Sequence, residues 1–269
     1  MKKLISLFLT LVMCVGLCSC NSSSEQKTDW DYISSKGELV IGITLYEPMN
    51  YYDDQNKLVG FDTEFAELLC SKLGIKCKFQ IIDWNSKENE LNSKTIDAIW
   101  NGLTIKEERK EHMAFTTAYL RNKQCVVIKA DNAEKYASLD AMAGASVAAE
   151  SGSAGEDAIM ADSVLSKNPF VGANAQKDVL LELKSGTVEI GVIDYIMAKA
   201  SVGAGTSYDS LMICEDIQLM PEEYAIGLRK SDTKTLEKFN AAIDELIAEG
   251  KLLELAEKYD LVDEYKALF

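Results

Sequence analysis

From Glu38 to Leu228, short apolar runs and amphipathic helical stripes take turns along the chain. This alternation limits the fold more than any other feature, because parallel strands need long crossover connections and helices supply them. Residues 39–43 are apolar apart from one glycine, as a strand buried on both faces must be. Phe61, Phe65, Leu68, Leu69 and Leu73 follow at helical spacing behind Gly60. Residues 78–82 and 98–100 read as further strands, with a short helix over 87–92 between them. A second series begins after 126–128, with strands at 147–149, 170–171 and 190–193 and helices near 155–160 and 177–184. Strand returns at 224–228, and Leu236, Phe239, Ile243, Leu246 and Ile247 then line one side of a long helix, with a short one at 252–259. The pattern predicts an α/β protein of two lobes around a cleft. Ligands of such sheets bind at the carboxyl ends of the strands.

The N-terminus is an address rather than part of that fold. Lys2 and Lys3 precede an apolar run from Leu4 to Leu17, too short for the roughly 20 residues of a membrane span. It reads as a secretory signal. Its end, Leu17-Cys-Ser-Cys20, resembles the lipobox of bacterial lipoproteins, which implies cleavage after residue 19 and lipidation of Cys20. Residues 20–37 are expected to tether the anchor to the lobes, the stretch 21–28 being polar and aperiodic. Loss of Lys2 and Lys3 takes the formal charge from −15 to −17. No basic cluster offsets it, which argues against nucleic acid or an anionic membrane surface as partners and favours a soluble monomer. His112 is the single histidine and no Cys-x-x-Cys occurs, so neither a zinc site nor any other cofactor is expected. Cys125 and Cys214 read as buried thiols.

The stretch Asp97-Ala-Ile-Trp-Asn-Gly-Leu-Thr-Ile-Lys-Glu-Glu-Arg109 carries the chemistry. A short apolar strand enters the bend Asn101-Gly102, whose backbone donors are expected to be exposed. Thr104 and Glu107 have capping-box spacing, which predicts a helix from about Ile105 with Arg109 in its first turns. A guanidinium, a hydroxyl and free amides at one place suit a carboxylate.

Five segments together resemble the polar amino-acid family of ABC-transporter substrate-binding lipoproteins, the periplasmic-type proteins that bind lysine/arginine/ornithine, histidine, glutamine or cystine. They are Tyr46-Glu-Pro-Met-Asn-Tyr51, Leu58-Val-Gly-Phe-Asp62, the 97–109 motif, Ser151-Gly-Ser-Ala-Gly-Glu156 and Glu222-Glu-Tyr-Ala-Ile-Gly-Leu-Arg229. The resemblance covers 38–259. It implies a two-lobed fold, each lobe a mostly parallel sheet flanked by helices, with lobe one at 38–121 plus 222–269 and lobe two at 125–217. Segments 122–124 and 218–221 would form the hinge. It also implies a Cys70–Cys77 disulfide.

By the same resemblance, Arg109 would clamp the carboxylate of an α-amino acid while Asn101, Gly102, Leu103 and Thr104 line it. Ser153 and Ala154 would offer amides from the other lobe, Asp194 would take the α-ammonium, and Tyr46 and Trp84 would flank the side chain. Each has a plainer reading as well: Ser153 and Asp194 as helix caps, Trp84 as core. Glu47 could touch a polar side chain or face solvent, and Trp100 could be core or pocket floor. Ala154 stands where threonine is common in the family. Ile43 stands where some binders of basic amino acids carry an acid, which favours a neutral polar or aromatic ligand, or cystine. The implied function is capture by lobe closure and delivery to an ABC permease at the outer face of the cell membrane, without catalysis. The rivals are an enzyme such as a cyclohexadienyl dehydratase, with Glu47 or Glu150 as acid or base, and a sensory subunit reporting to a separate partner.

Overall fold

The computed structural model describes residues 28–268, so the readings of a signal peptide, of lipidated Cys20 and of the tether up to residue 27 lie outside the described residues. The strands are β1 (Glu38–Ile43), β2 (Tyr51–Tyr52), β3 (Leu58–Val59), β4 (Lys76–Ile81), β5 (Ala98–Ile99), β6 (Met113–Phe115), β7 (Leu120–Lys129), β8 (Val147–Glu150), β9 (Phe170–Ala173), β10 (Ile190–Asp194), β11 (Leu211–Tyr224) and β12 (Gly227–Arg229). The helices are α1 (Asp29–Lys36), α2 (Phe61–Lys72), α3 (Lys87–Asn92), α4 (Glu107–His112), α5 (Ala154–Ala161), α6 (Gln176–Ser185), α7 (Tyr195–Ser201), α8 (Thr233–Ala248), α9 (Lys251–Lys258) and α10 (Val262–Lys266).

Two five-stranded sheets organise them, in the orders β4-β1-β5-β12-β6 and β11-β7-β10-β8-β9. In the first sheet β1 pairs in parallel with β4 and β5, while β12 runs antiparallel to β5 and β6. In the second, β8 pairs in parallel with β9 and β10, and β7 runs antiparallel to β10 and β11. Each sheet is therefore mixed: parallel where helices cross over, antiparallel where β12 and β7 join. The connection between lobes is a ribbon. β7 and β11 pair through Leu120↔Tyr224, Asn122↔Glu222 and Lys123↔Pro221 on the way from one lobe to the other.

Lobe one packs Phe65 edge-on against Trp100 at 4.9 Å, and Trp100 is fully buried, so it is core and not pocket floor. Ile43 is likewise a core residue at 1% exposure. Asp97, the first residue of the 97–109 motif, has a structural task. Its carboxylate accepts from Val40 N at 3.0 Å, pairs with Lys36, and meets Arg229 at 3.4 Å. A buried acid thus ties α1, β1 and β12 together.

Two expectations fail here. Residues 29–36, placed in the tether, form α1. Thr28 and Asp31 make a reciprocal capping box, and the Asp29 carboxylate accepts from Lys234 N and Thr235 N at the start of α8. Residues 70 and 77 are free thiols rather than a disulfide, with the Cys77 thiol donating to Ala66 O at 3.1 Å.

Candidate functional site

Strand exits deliver the site. The chain leaving β5 forms the loop 100–104, and Asn101 fixes it from within lobe one. Asn101 Oδ1 accepts from Thr44 N and Thr44 Oγ1, and its Nδ2 donates to Thr44 O and Asn50 Oδ1. Gly102 adopts φ +56°, and a Cβ there would lie 2.8 Å from Tyr46 Cε1, so only glycine fits. Its N–H is not an open donor, because it donates to Asp62 Oδ2 at 2.7 Å. Burial pushes the Asp62 carboxyl up to about 7. The expected capping box is also absent. The Thr104 hydroxyl donates to Glu222 Oε2 at 2.9 Å, and α4 starts at Glu107 behind Lys106 with no side-chain cap. A tertiary partner 118 positions away outcompetes the local one.

Arg109 sits on α4 and is 7% exposed. Its Nη1 donates to Thr104 O at 3.0 Å and its Nη2 crosses the cleft to Gly152 O at 3.1 Å. Lys87 Nζ donates to the same Gly152 O at 2.9 Å and to Trp84 O at 3.1 Å. Burial and the neighbouring Arg109 charge pull Lys87 down to about 7, and do the same to Lys106, to about 8. Lys106 also forms an ion pair across the cleft with Asp157. The lobes are in contact.

Lobe two brings its own strand ends. Ser153, after β8, caps α5: its Oγ accepts from Glu156 N at 3.2 Å, while Glu156 Oε2 accepts from Gly152 N rather than from Ser153 N. Asp194 ends β10. Its Oδ1 accepts from Asn122 Nδ2 at 2.9 Å and from Gln124 Nε2, and its Oδ2 from Gln176 Nε2. The Asn122 and Gln124 amides also donate to Glu222 Oε1, so two buried carboxylates share them. Burial, then the Asp194 charge, raises the Glu222 pKa well above the usual carboxylate range. Asp194 makes no side-chain cap to α7, which removes its plainer reading.

Between the lobes lies a small polar cavity. Trp84, Asn101, Gly102, Thr104, Arg109, Glu150, Ser153, Ala154, Gln176 and Asp194 line it. Trp84 is both core and lining, at 5% exposure. Two expected residues do not line it. Tyr46 is buried behind the loop with its hydroxyl 2.9 Å from that of Tyr224. The Leu103 side chain packs into the cluster with Ile99 and Met113, and its carbonyl accepts from Ala225 N. Glu47 is exposed. Gln176 and Glu150 are additional lining residues that the same signal, a polar residue near a strand exit, could have found. Among the described residues no group of three His, Cys, Asp or Glu is arranged to hold a metal ion.

Residues 39–262 match the profile of the bacterial extracellular solute-binding proteins, family 3. The arginine-binding extracellular protein ArtP of Bacillus subtilis (strain 168) is 29% identical over 265 residues, 96% of this chain and 98% of that protein. The fold is similar to a mutant of ArgBP from T. maritima, with a TM-score of 0.79 and 30% identity over 86% of this chain and 99% of that one. It is equally similar, at a TM-score of 0.79 and 29% identity, to an ABC uptake transporter substrate-binding protein from Streptococcus pneumoniae with bound histidine, over 86% of this chain and 95% of that one.

Proposed function

We propose, from the premise that this chain belongs to family 3 of the bacterial extracellular solute-binding proteins, that it captures an L-α-amino acid between its lobes and passes it to an ABC permease. One observation carries the reading: Arg109 of lobe one and Asp194 of lobe two line the same cavity between the lobes. A zwitterion presents a carboxylate and an ammonium on one carbon. Arg109 answers the first, with Ser153 and the amides at the start of α5, and Asp194 answers the second. Arginine-, histidine- and cystine-binding relatives support the ligand class. Because the two charges belong to different lobes, the ligand interacts better with the closed state than with the open one, and binding drives closure. The β7–β11 ribbon serves as the hinge, with residues 122–124 and 218–221 absorbing the bend. The lipid on Cys20 holds the receptor near its permease.

A melting-temperature screen against the L-amino acids and cystine tests the reading. A ligand at 100 times its dissociation constant adds about 2.7 kcal/mol of stability. At least one amino acid should raise the transition. A flat response to all of them, in refolded protein freed of carried-over ligand, would remove the proposal.

A further inference from the structure

We infer that Glu150 selects the ligand's side chain, supplying the counter-charge for an amino acid that ends in an ammonium or guanidinium. This rests on the amino-acid reading of the cavity and narrows it to one class.

Glu150 is the last residue of β8, lines the cavity, and is 2% exposed. Its Oε1 has no hydrogen-bond partner among the described residues. A carboxylate taken out of water without a donor is strongly unfavourable, and a fold retains one only where something compensates it. The cavity's other polar groups do not. Lys87 attracts Glu150 through space, yet its Nζ donates to Trp84 O and Gly152 O. The terminal nitrogens of Arg109 donate to Thr104 O and Gly152 O. The amides of Asn122, Gln124 and Gln176 converge on Asp194. Among the described residues that line the cavity, Glu150 is the acid left with an oxygen that has no hydrogen-bond partner.

Charge points the same way. Among the described residues Arg109 is the one cation that lines the cavity, against Asp194 and Glu150, with Glu222 directly behind. A zwitterion brings no net charge and leaves Glu150 as it was. A ligand with a cationic side chain adds one positive charge, and after Arg109 and Asp194 have taken the α-groups, Glu150 is the lining acid that remains. The apolar residue at position 43 does not weigh against this, because Ile43 belongs to the lobe-one core and does not line the cavity. The competing possibility is a protonated Glu150 that donates to a neutral amide. Burial and the Asp194 charge both raise its pKa, so that form has to be tested against.

Arginine and citrulline are nearly isosteric and differ in side-chain charge, so they separate the two. Titration calorimetry at pH 7 would compare L-arginine, L-lysine and L-ornithine with L-citrulline and L-glutamine, on wild type and on Glu150→Gln. We expect wild type to prefer its best cationic ligand over citrulline by at least 100-fold. In Glu150→Gln that ratio should fall at least tenfold, with the melting temperature of the free protein held or raised. A wild type that binds citrulline or glutamine as tightly as any cationic ligand overturns the inference and leaves the amino-acid reading standing. So does a Glu150→Gln variant that keeps the full preference. The wild-type comparison decides the matter even if the variant does not fold. Binding of no amino acid at all overturns both.

Discussion

On the lobe-one side of the cavity the loop carrying Asn101 and Gly102 is hydrogen-bonded within its own lobe, whereas on the lobe-two side Glu150 has an oxygen with no donor and Asp194 shares two of its donors. Asn101 is held by Thr44 and Asn50, and Gly102 by Asp62, all from lobe one. Across the cleft Glu150 lacks a partner, and Asp194 shares two amides with Glu222. One face is preorganised and the other is frustrated. A rigid half can dock a ligand without reordering, and a half with uncompensated charge gains most when the ligand arrives. That division of labour makes closure depend on the ligand.

The largest effect should come from removing the charge on the rigid face. Arg109→Ala leaves the lining acids Asp194 and Glu150 with no lining cation among the described residues, and removing one partner of the charge pair made with the ligand carboxylate costs about 2–5 kcal/mol. Calorimetry should record at least a 100-fold loss of affinity for the best amino acid. An affinity within a few-fold of wild type would mean the carboxylate is held elsewhere. Second in size is a change to the preorganised loop. Gly102→Ala combines φ +56° with a Cβ 2.8 Å from Tyr46 and 3.1 Å from Tyr224, and overpacking of this kind costs about 1–3 kcal/mol. Gly144→Ala is the control, since φ is +81° there but nothing lies within 4 Å. Urea unfolding should find Gly102→Ala clearly the worse of the two. Equal losses would show that the loop is less tightly fixed than its contacts imply.

Glu222, a lobe-one residue that shares two donors with Asp194, offers the opposite sign. Glu222 has its pKa raised by burial and by Asp194, so the folded protein holds that proton more tightly than the unfolded chain does. Stability on this account is greatest in acid and falls as pH rises above the ordinary value of 4.5. Glu222→Gln keeps an acceptor for Asn122 and Gln124 and can meet the Thr104 hydroxyl with its amide. At pH 8 it should stabilise the ligand-free protein by about 1–2 kcal/mol, or roughly 3–6 °C, and the gain should vanish near pH 4. A variant less stable than wild type at pH 8 would show that the ionised pair is already compensated.

How far the sequence revealed this contrast follows from the range of each interaction. Buried strands and helical stripes are written in local periodicity, and strand exits then place Arg109, Ser153 and Asp194 near one cleft. The misreadings come from contacts made over long separations. Thr104 has the spacing of a cap, but its hydroxyl goes to Glu222; Gly102 has a free-looking amide, but Asp62 takes it. Tyr46 lies near the loop in space yet behind it, an orientation that sequence does not carry. Helix α1 was legible in part: Thr28 and Asp31 have cap spacing and Ile33 is apolar, though the docking of Asp29 on α8 is tertiary. Glu150 stands at a strand exit just as Asp194 does. Only burial distinguishes it from a solvated glutamate.

The smallest effect is expected at the rim. Lys106 and Asp157 form an ion pair between the lobes, which invites reading them as a latch. The Asp157 side chain is 54% exposed, however, and pairs of this kind are worth about 0–1 kcal/mol. Burial and Arg109 moreover pull Lys106 down to about 8, so its charge is a net burden to the folded protein below its unfolded value of 10.5. That burden is lifted as pH rises from about 8 towards 10.5, and a neutral side chain of similar length never carries it. Lys106→Met should therefore leave the dissociation constant within about fivefold of wild type at pH 7 and flatten the rise in stability above pH 8. A loss approaching that of Arg109→Ala would place the energy of closure at the rim, and the contrast between the two cavity faces would no longer explain it.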